Sequence, residues 1–320
     1  MRLTRRDVLL TGMAGAAVAA TPVWALDKLT IVATTGMIAD TARRIGGDFV
    51  QVKALMGPGI DPHSYRQTRS DIVAMTRADL VLWHGLYLEA QMQEFLHKLE
   101  KRVPVRAVTE TIPSGTLRVH PSYADKFDPH VWMVPEIWAH CALRIRDVMS
   151  EARPDMAEAF ATNADTFLQE LKGLQAYGKS ALSTVPQEKR VLVTAHDAFG
   201  YFGREYGFEV LGIQGISTQS EAGLNRISEL VNVLVERKIG AVFVESSVSD
   251  RSIRALGEGA AAQGHNVIIG GELFSDAMGA DGTYEGTYPG MIDHNVTVIA
   301  NALGGQTPAH GLTGKLSAGF

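Results

Sequence analysis

Residues 135–185 read as almost unbroken helix, and the rest of the chain has to be arranged around that rod. Two helices fit it. Pro135 suits a first helical turn, where its missing N–H would have no intrahelical partner. Pro154 restarts the chain, and Asp155 and Glu158 follow at the positive end of the new helix dipole. Met156, Phe160, Phe167, Leu171, Leu174 and Leu182 then recur at spacings of three, four or their multiples, a stripe that buries one face. Glu170, Lys172 and Lys179 are left to face water. At 1.5 Å per residue, a second helix of about 30 residues spans roughly 45 Å. Gly173 and Gly178 break any strict heptad, which argues against a coiled coil. Each glycine costs roughly 1 kcal/mol relative to alanine and is a candidate bend.

On both sides of the rod, apolar runs of strand length alternate with helical ones. Before it, strands are expected at 29–33, 50–56, 79–83 and 103–108. Helices are expected at 38–45 and 86–100, and another capped by Ser70 with Ile72, Val73 and Met75 inside. Residues 57–63 form a loop by their glycines and prolines, and 112–127 a loop with little pattern. After the rod, strands at 190–194, 210–213, 241–244 and 267–269 alternate with helices at 199–206, 223–238, 250–263 and 294–303. This rhythm predicts an α/β protein of two lobes, each with a mostly parallel sheet covered by helices, joined by one long rigid helix. The expected bounds are 26–150 for the N-terminal lobe, 151–186 for the linking helix and 187–320 for the C-terminal lobe.

Composition bounds the partners. The 320 residues, 46% hydrophobic and 20% charged, supply ample core for two domains. Residues 1–25 read as an export signal: Arg2, Arg5 and Arg6, an apolar run over 9–20, then Val23-Trp24-Ala25 as a small-residue cleavage site. Thr4-Arg5-Arg6-Asp7-Val8-Leu9 also fits a twin-arginine signal. The apolar run is too short to span a bilayer. Cleavage near Ala25 removes three arginines and Asp7, taking the formal charge from −5 to −7. That argues against nucleic acid or an anionic membrane surface as partner. Cys141 is the only cysteine, so a disulfide or thiolate metal cluster is excluded and no cysteine stands at the cleavage site to take a lipid anchor. A soluble monomer in the periplasm is expected.

The chemistry-bearing residues are histidines in stiff loops. Asp61-Pro62-His63 and Asp128-Pro129-His130 repeat one tripeptide. In each, proline fixes its own φ and steers the preceding aspartate away from helix. The aspartate is placed to bond nearby backbone N–H groups or to support a ligand. His196 closes the strand at 190–194, and Asp276 lies in Glu272-Leu-Phe-Ser-Asp276, with Glu245, Glu272 and Asp281 as competing carboxylates. In open α/β sheets, ligands bind beyond the carboxyl ends of strands, where His63, His196 and Asp276 all fall. Three imidazoles and a carboxylate suit Zn²⁺, Mn²⁺ or Fe²⁺ better than Mg²⁺ or Ca²⁺. Because neutral imidazoles bind metal, affinity is expected to fall below about pH 6.5. His84, His97, His120, His140, His265, His294 and His310 are assigned to core or surface, with His120 and His294 the nearest alternatives.

Over residues 29–303 the chain resembles the manganese/zinc-type (cluster A-I, or cluster IX) solute-binding proteins of ABC importers. The resemblance is carried by Gly59-Ile-Asp-Pro-His-Ser-Tyr65, Asp128-Pro-His-Val-Trp132, Thr194-Ala-His-Asp-Ala-Phe-Gly-Tyr-Phe202, Gly215-Ile-Ser-Thr218, Val244-Glu-Ser-Ser247 and Glu272-Leu-Phe-Ser-Asp-Ala277. It implies two α/β lobes on one long helix and metal ligation by His63, His130, His196 and Asp276. It also implies delivery of the cation to a membrane permease with its cytoplasmic ATPase. Some manganese- and iron-type members place Glu where His196 stands. Many zinc-type members carry a His-rich loop where residues 112–127 here hold only His120. The two clues conflict; a bidentate Asp276 would raise the coordination number and ease Mn²⁺ binding, which puts Mn²⁺ slightly first as cargo, Zn²⁺ close behind and Fe²⁺ a distant third.

Two other classes share parts of this pattern. A zinc-dependent hydrolase would use three histidines, an open coordination position and Glu245 as general base. Against it, four protein ligands close the shell, and neither a His-Glu-x-x-His run nor a nucleophile elbow is present. An adhesion protein would bind no tight metal. The expectation is a binding protein and not an enzyme.

Overall fold

The computed structural model describes residues 27–121, 123–220 and 222–317. The export signal expected over residues 1–25 lies outside them.

The first half opens with β1 (Leu29–Ala33), α1 (Gly36–Gly46), β2 (Val50–Ala54), α2 (Arg69–Arg77), β3 (Leu80–Trp83), α3 (Gln93–Leu99) and β4 (Val105–Ala107). The four strands form one parallel sheet in the order β2-β1-β3-β4. β3, Leu-Val-Leu-Trp, is buried along its whole length because helices cover both faces of the sheet. A short antiparallel hairpin follows, β5 (Val119–His120) with β6 (Tyr123–Phe127). Then come α4 (Pro135–Ala152) and α5 (Ala157–Ser183), which pack side by side as a helical hairpin turning at 153–156, so the almost unbroken helix expected over 135–185 is corrected and α5 alone forms the rod.

The second half is β7 (Val191–Thr194), α6 (Gly200–Tyr206), β8 (Glu209–Gly212), α7 (Leu224–Glu236), β9 (Ala241–Glu245), α8 (Arg251–Ala262), β10 (Ile268–Leu273) and α9 (Tyr288–Ala302). β7 pairs with β8 and β9 with β10, all parallel, and β7 runs alongside β9. The row β8-β7-β9-β10 repeats the strand order of the first half. Among the described residues no helix is long and apolar enough to cross a membrane.

The rod is where the two halves share a core. Phe160, Phe167, Leu171, Leu174 and Leu182 of α5 are buried, as their spacing predicts, and one apolar cluster runs from Leu29 through α4 and α5 to Leu303. Each sheet turns its other face to a cluster of its own, Met75, Val81 and Leu96 in the first half, Leu230, Leu234 and Ile253 in the second. The seam is also hydrogen-bonded. Tyr288, at the start of α9, stacks on Trp138 with centroids 5.4 Å apart, donates its O–H to Trp132 O at 2.8 Å, and donates its N–H to Asp40 at 2.9 Å. Trp132 Nε1 donates to Ser275 O at 2.7 Å.

Five local expectations are corrected. The helix expected over 86–100 begins only at Gln93, because Leu86 and Tyr87 sit at φ +50° and +68°, and buried Glu89 accepts the N–H groups of His84 and Gly85. Thr68, not Ser70, caps α2 through a reciprocal capping box with Asp71. Asp71 is buried within that box, and Val73, expected inside, is exposed. The loop expected at 112–127 contains the hairpin. The closing helix starts at Tyr288, not 294, behind a Thr287 cap and with Pro289 in its first turn.

The fifth concerns the rod's glycines, which differ in kind. A Cβ at Gly173 would meet nothing within 4 Å, whereas at Gly178 it would stand 2.9 Å from Tyr206 Oη, the hydroxyl that reaches Gln175 on the same helix. Gly178 is thus a packing residue and not a bend. Gly173→Ala is expected to raise stability by up to about 1 kcal/mol, the helix-propensity difference. Gly178→Ala, though it gains the same propensity, is expected to lower it because Tyr206 must move. Thermal unfolding of the two variants tests this; equal shifts would contradict it.

Candidate metal centre

Four loops bring the site together. The 57–63 loop after β2 carries His63, the turn after β6 carries His130, the end of β7 runs into His196, and the end of β10 into Asp276. Their ligand atoms all lie within 4.8 Å of one another, and all four residues are buried. This group is the one formed by the sequence-predicted residues.

Local chemistry places each histidine. In both Asp-Pro-His tripeptides the aspartate accepts the N–H of the histidine two residues on, at 2.8 Å from His63 and 3.0 Å from His130. The two aspartates then differ. Asp61 turns its other oxygen to Ser64 Oγ and, across the cleft, to Thr218 Oγ1 at 2.6 Å. Gln219 Nε2 donates to His63 O at 2.5 Å, a second tie to that loop. Asp128 instead accepts from its own histidine's ring, Nδ1 of His130, at 2.8 Å. His196 is held in the same way by Glu245, which takes Nδ1 at 2.5 Å and the backbone N–H at 2.9 Å. A carboxylate on Nδ1 fixes the ring and leaves Nε2 to face the centre.

The Nε2 atoms converge on Asp276. Oδ1 of Asp276 lies 3.3 Å from His130 Nε2 and 3.9 Å from His63 Nε2; Oδ2 lies 3.2 Å from His196 Nε2. His63 Nε2 and His130 Nε2 are 3.3 Å apart. A tetrahedral shell with metal–ligand bonds of about 2.0–2.2 Å has edges of roughly 3.3–3.6 Å. Among the described residues, His196 Nε2 and Asp276 Oδ1 are buried without a hydrogen-bond partner. Unpaired donor atoms, aimed inward and spaced like the edges of a coordination polyhedron, fit a divalent cation.

The competing residues fall elsewhere. Glu245 supports His196, Asp281 is exposed on the rim of a neighbouring cleft, and exposed Glu272 offers its carbonyl to His294. His120 packs against Tyr123 on the hairpin and is outside the cluster. His84 lies in the core, one of its two expected places, and its Nε2 bonds Pro129 O at 2.7 Å and so braces the loop that presents His130. Sequence reasoning assigned no role to Arg118, Tyr201, Gln219 or Ser247, whose side chains touch these loops or Asp276. Tyr201 and Ser247 stand inside the quoted motifs and Gln219 directly after one, whereas Arg118 carries no such signal. Two clefts flank the centre: one of about 450 Å³ reaches Asp276 beside Met278 and Ile60, the other of about 330 Å³ reaches His63 beside Tyr87 and Tyr123.

Electrostatics divides the imidazoles. Burial would lower His130, but the hydrogen bond to Asp128 and the negative charges of Asp128 and Asp276 outweigh it and raise the pKa to about 9. Burial is likewise overcome at His196 by the charges of Glu245 and Asp276, which raise it well above 6.5. His63 lacks a carboxylate on its ring; burial dominates and lowers it to about 4. Burial would raise Asp276, yet the three imidazoles hold it well below the usual carboxylate range.

The family description "Zinc-uptake complex component A periplasmic" matches residues 31–302. The manganese-binding lipoprotein MntA of Bacillus subtilis is 48% identical over 276 residues, covering 86% of this chain and 90% of that one. The zinc-binding protein TroA of Treponema pallidum is 45% identical over 277 residues, covering 86% and 89%. The iron-binding protein YfeA of Yersinia pestis is 32% identical over 277 residues, covering 87% of each. The solved structure of the Treponema pallidum protein superposes with a TM-score of 0.84 over 86% of this chain and 99% of that one, at 44% identity.

The raised imidazoles change the expected pH window. Groups with raised pKa hold protons up to that pKa, and a cation must displace them. Affinity for Zn²⁺ should therefore keep rising with pH to about 9, where His130 titrates, and not level off at 6.5. At about pH 7.5, binding should release roughly one to two protons per cation, read by calorimetry in buffers of different ionisation enthalpy. A proton count near zero would mean that the imidazoles are already neutral.

Proposed function

The chain belongs to the family of periplasmic zinc-uptake components, and from that premise we propose that His63, His130, His196 and Asp276 capture a divalent transition metal for delivery to the permease of an ABC importer. The single observation that carries the ligand assignment is the convergence of four buried donor atoms within 4.8 Å. A hydrolase would need an open coordination position for water; here Asp276 stands in that place, and its side chain and that of His196 are wholly enclosed.

The carboxylate supports the cargo reading. Both oxygens of Asp276 face histidines, Oδ1 toward His63 and His130 and Oδ2 toward His196. Bidentate ligation would raise the coordination number to five, which eases Mn²⁺ binding. Nitrogen and oxygen donors still hold Zn²⁺ more tightly than Mn²⁺, so occupancy in the cell depends on supply. We place Mn²⁺ first and Zn²⁺ second.

The shared core and the Tyr288–Trp132 seam resist large lobe closure, so release proceeds through loops, for instance the segment around Asp276, between Gly271 and Gly282. The proposed division is an N-terminal lobe over 26–150, a linking segment over 151–186 and a C-terminal lobe over 187–320. The proposed export signal is residues 1–25, cut near Ala25, by the twin-arginine route. The mature protein acts as a periplasmic monomer and hands its cargo to a permease driven by a cytoplasmic ATPase.

Calorimetric titration with Zn²⁺ should give one site per chain in the parent. His63→Ala and His196→Ala should each weaken it by about a hundredfold or more, since removal of a direct ligand exceeds the 10–100-fold effect of removing an outer support. Unchanged affinity in both would remove the site as drawn. Elemental analysis of protein purified from its native compartment should find manganese ahead of zinc; zinc alone would reverse the cargo assignment.

A further inference from the structure

Asp128 is gripped from two sides. Its Oδ1 takes the ring and backbone N–H groups of His130, and its Oδ2 takes Nη1 of Arg118 at 3.0 Å. The backbone repeats the link: Asp128 N–H donates to Arg118 O at 2.8 Å. Tyr201 closes the ring of contacts, accepting Arg118 N–H at 3.0 Å and donating to Asp128 O at 2.8 Å. The guanidinium lies 5.8 Å from the Tyr201 ring centre and presses on Gly200, where an added Cβ would stand 1.0 Å from Nη1. One side chain thus joins three parts: the start of the β5–β6 hairpin, the loop that presents His130, and the first turn of α6 in the other half.

The two imidazole supports differ in reach. Glu245, behind His196, is 0% exposed, and Asp128 is 1% exposed, but the Arg118 side chain is 33% exposed. The hairpin it belongs to presents Val119 and Tyr123 to solvent, and Tyr123 lines the cleft that reaches His63. A carboxylate held through one oxygen keeps a free torsion, whereas one held through both cannot turn, and its imidazole cannot turn with it.

We infer that Arg118 is the positioning residue of His130, and that the β5–β6 hairpin, through Arg118, sets how long a captured cation stays. This rests on the cation-binding reading of the site. Displacing the hairpin would lift the guanidinium from Asp128, free the carboxylate to rotate and loosen His130 without opening the lobes.

The test is Zn²⁺ release into excess chromophoric chelator, followed by stopped flow, together with the visible absorption spectrum of the Co²⁺-loaded protein. Arg118→Gln should release Zn²⁺ about ten- to a hundredfold faster, the usual effect of losing an outer support, while still binding one cation per chain. Its Co²⁺ bands should shift, which a merely structural lesion elsewhere would not cause. Arg118→Lys should recover part of the slow release, because it keeps the charge but not the planar fork. Gly200→Ala displaces the guanidinium without deleting it and favours the helix, so it should move rate and spectrum as Arg118→Gln does. It decides the matter even where loss of Arg118 prevents folding. Rates and spectra equal to the parent's in these variants would overturn the role of Arg118 and leave the cation site standing. A parent that binds no Zn²⁺ would remove both.

Discussion

A carboxylate buried among three imidazoles is the constraint on which this molecule turns. The Asp276 side chain is fully enclosed, and its Oδ1 has no hydrogen-bond partner among the described residues. An ionised carboxylate so placed costs several kcal/mol unless opposite charge meets it. The three Nε2 atoms that meet it come from loops far apart in the chain. Holding them there requires both sheets to turn the carboxyl ends of their strands toward one cleft. It also requires Asp128 and Glu245 to aim two of the rings. The carboxylates around His130 and His196 raise both imidazole pKa values, which favours positive charge at the centre; the proposed cation supplies it.

The rod makes this arrangement stiff. α5 contributes to one core that extends from β1 to the end of α9, so neither lobe can swing without exposing apolar surface. Tyr288 and Trp132 sew the seam next to the proposed ligands, since Trp132 bonds Ser275, the neighbour of Asp276. A site built this way is preorganised: little conformational entropy is lost on binding. Selectivity and release then fall to loops and to the supports behind the rings, which is why the exposed end of the Arg118–Asp128 contact matters more than a hinge would.

Much of the fold was legible because its causes are local. The stripe on α5, the apolar run of β1 and the alternation of strands and helices follow from side-chain period and chain punctuation. The failures have local causes of another kind. Glu89, buried between Leu88 and Met92, captures two backbone N–H groups and holds residues 84–89 out of helix. Thr68 outcompetes Ser70 as a cap because Asp71 sits where it can answer back. The hairpin of β5 and β6 has no strong period and is anchored through Arg118 to groups distant in sequence.

The site divides the same way. By itself the sequence determined the two Asp-Pro-His turns, since proline and the aspartate's reach to the N–H two residues on are properties of three consecutive residues. It also determined that His196 would end a buried strand. Only the tertiary structure decided that these histidines share a point, that Asp276 and not Asp281 or Glu272 faces it, and that Glu245 stands behind His196. Those outcomes depend on the relative placement of two sheets, and that placement is set by packing across the whole rod, which no short stretch of residues encodes.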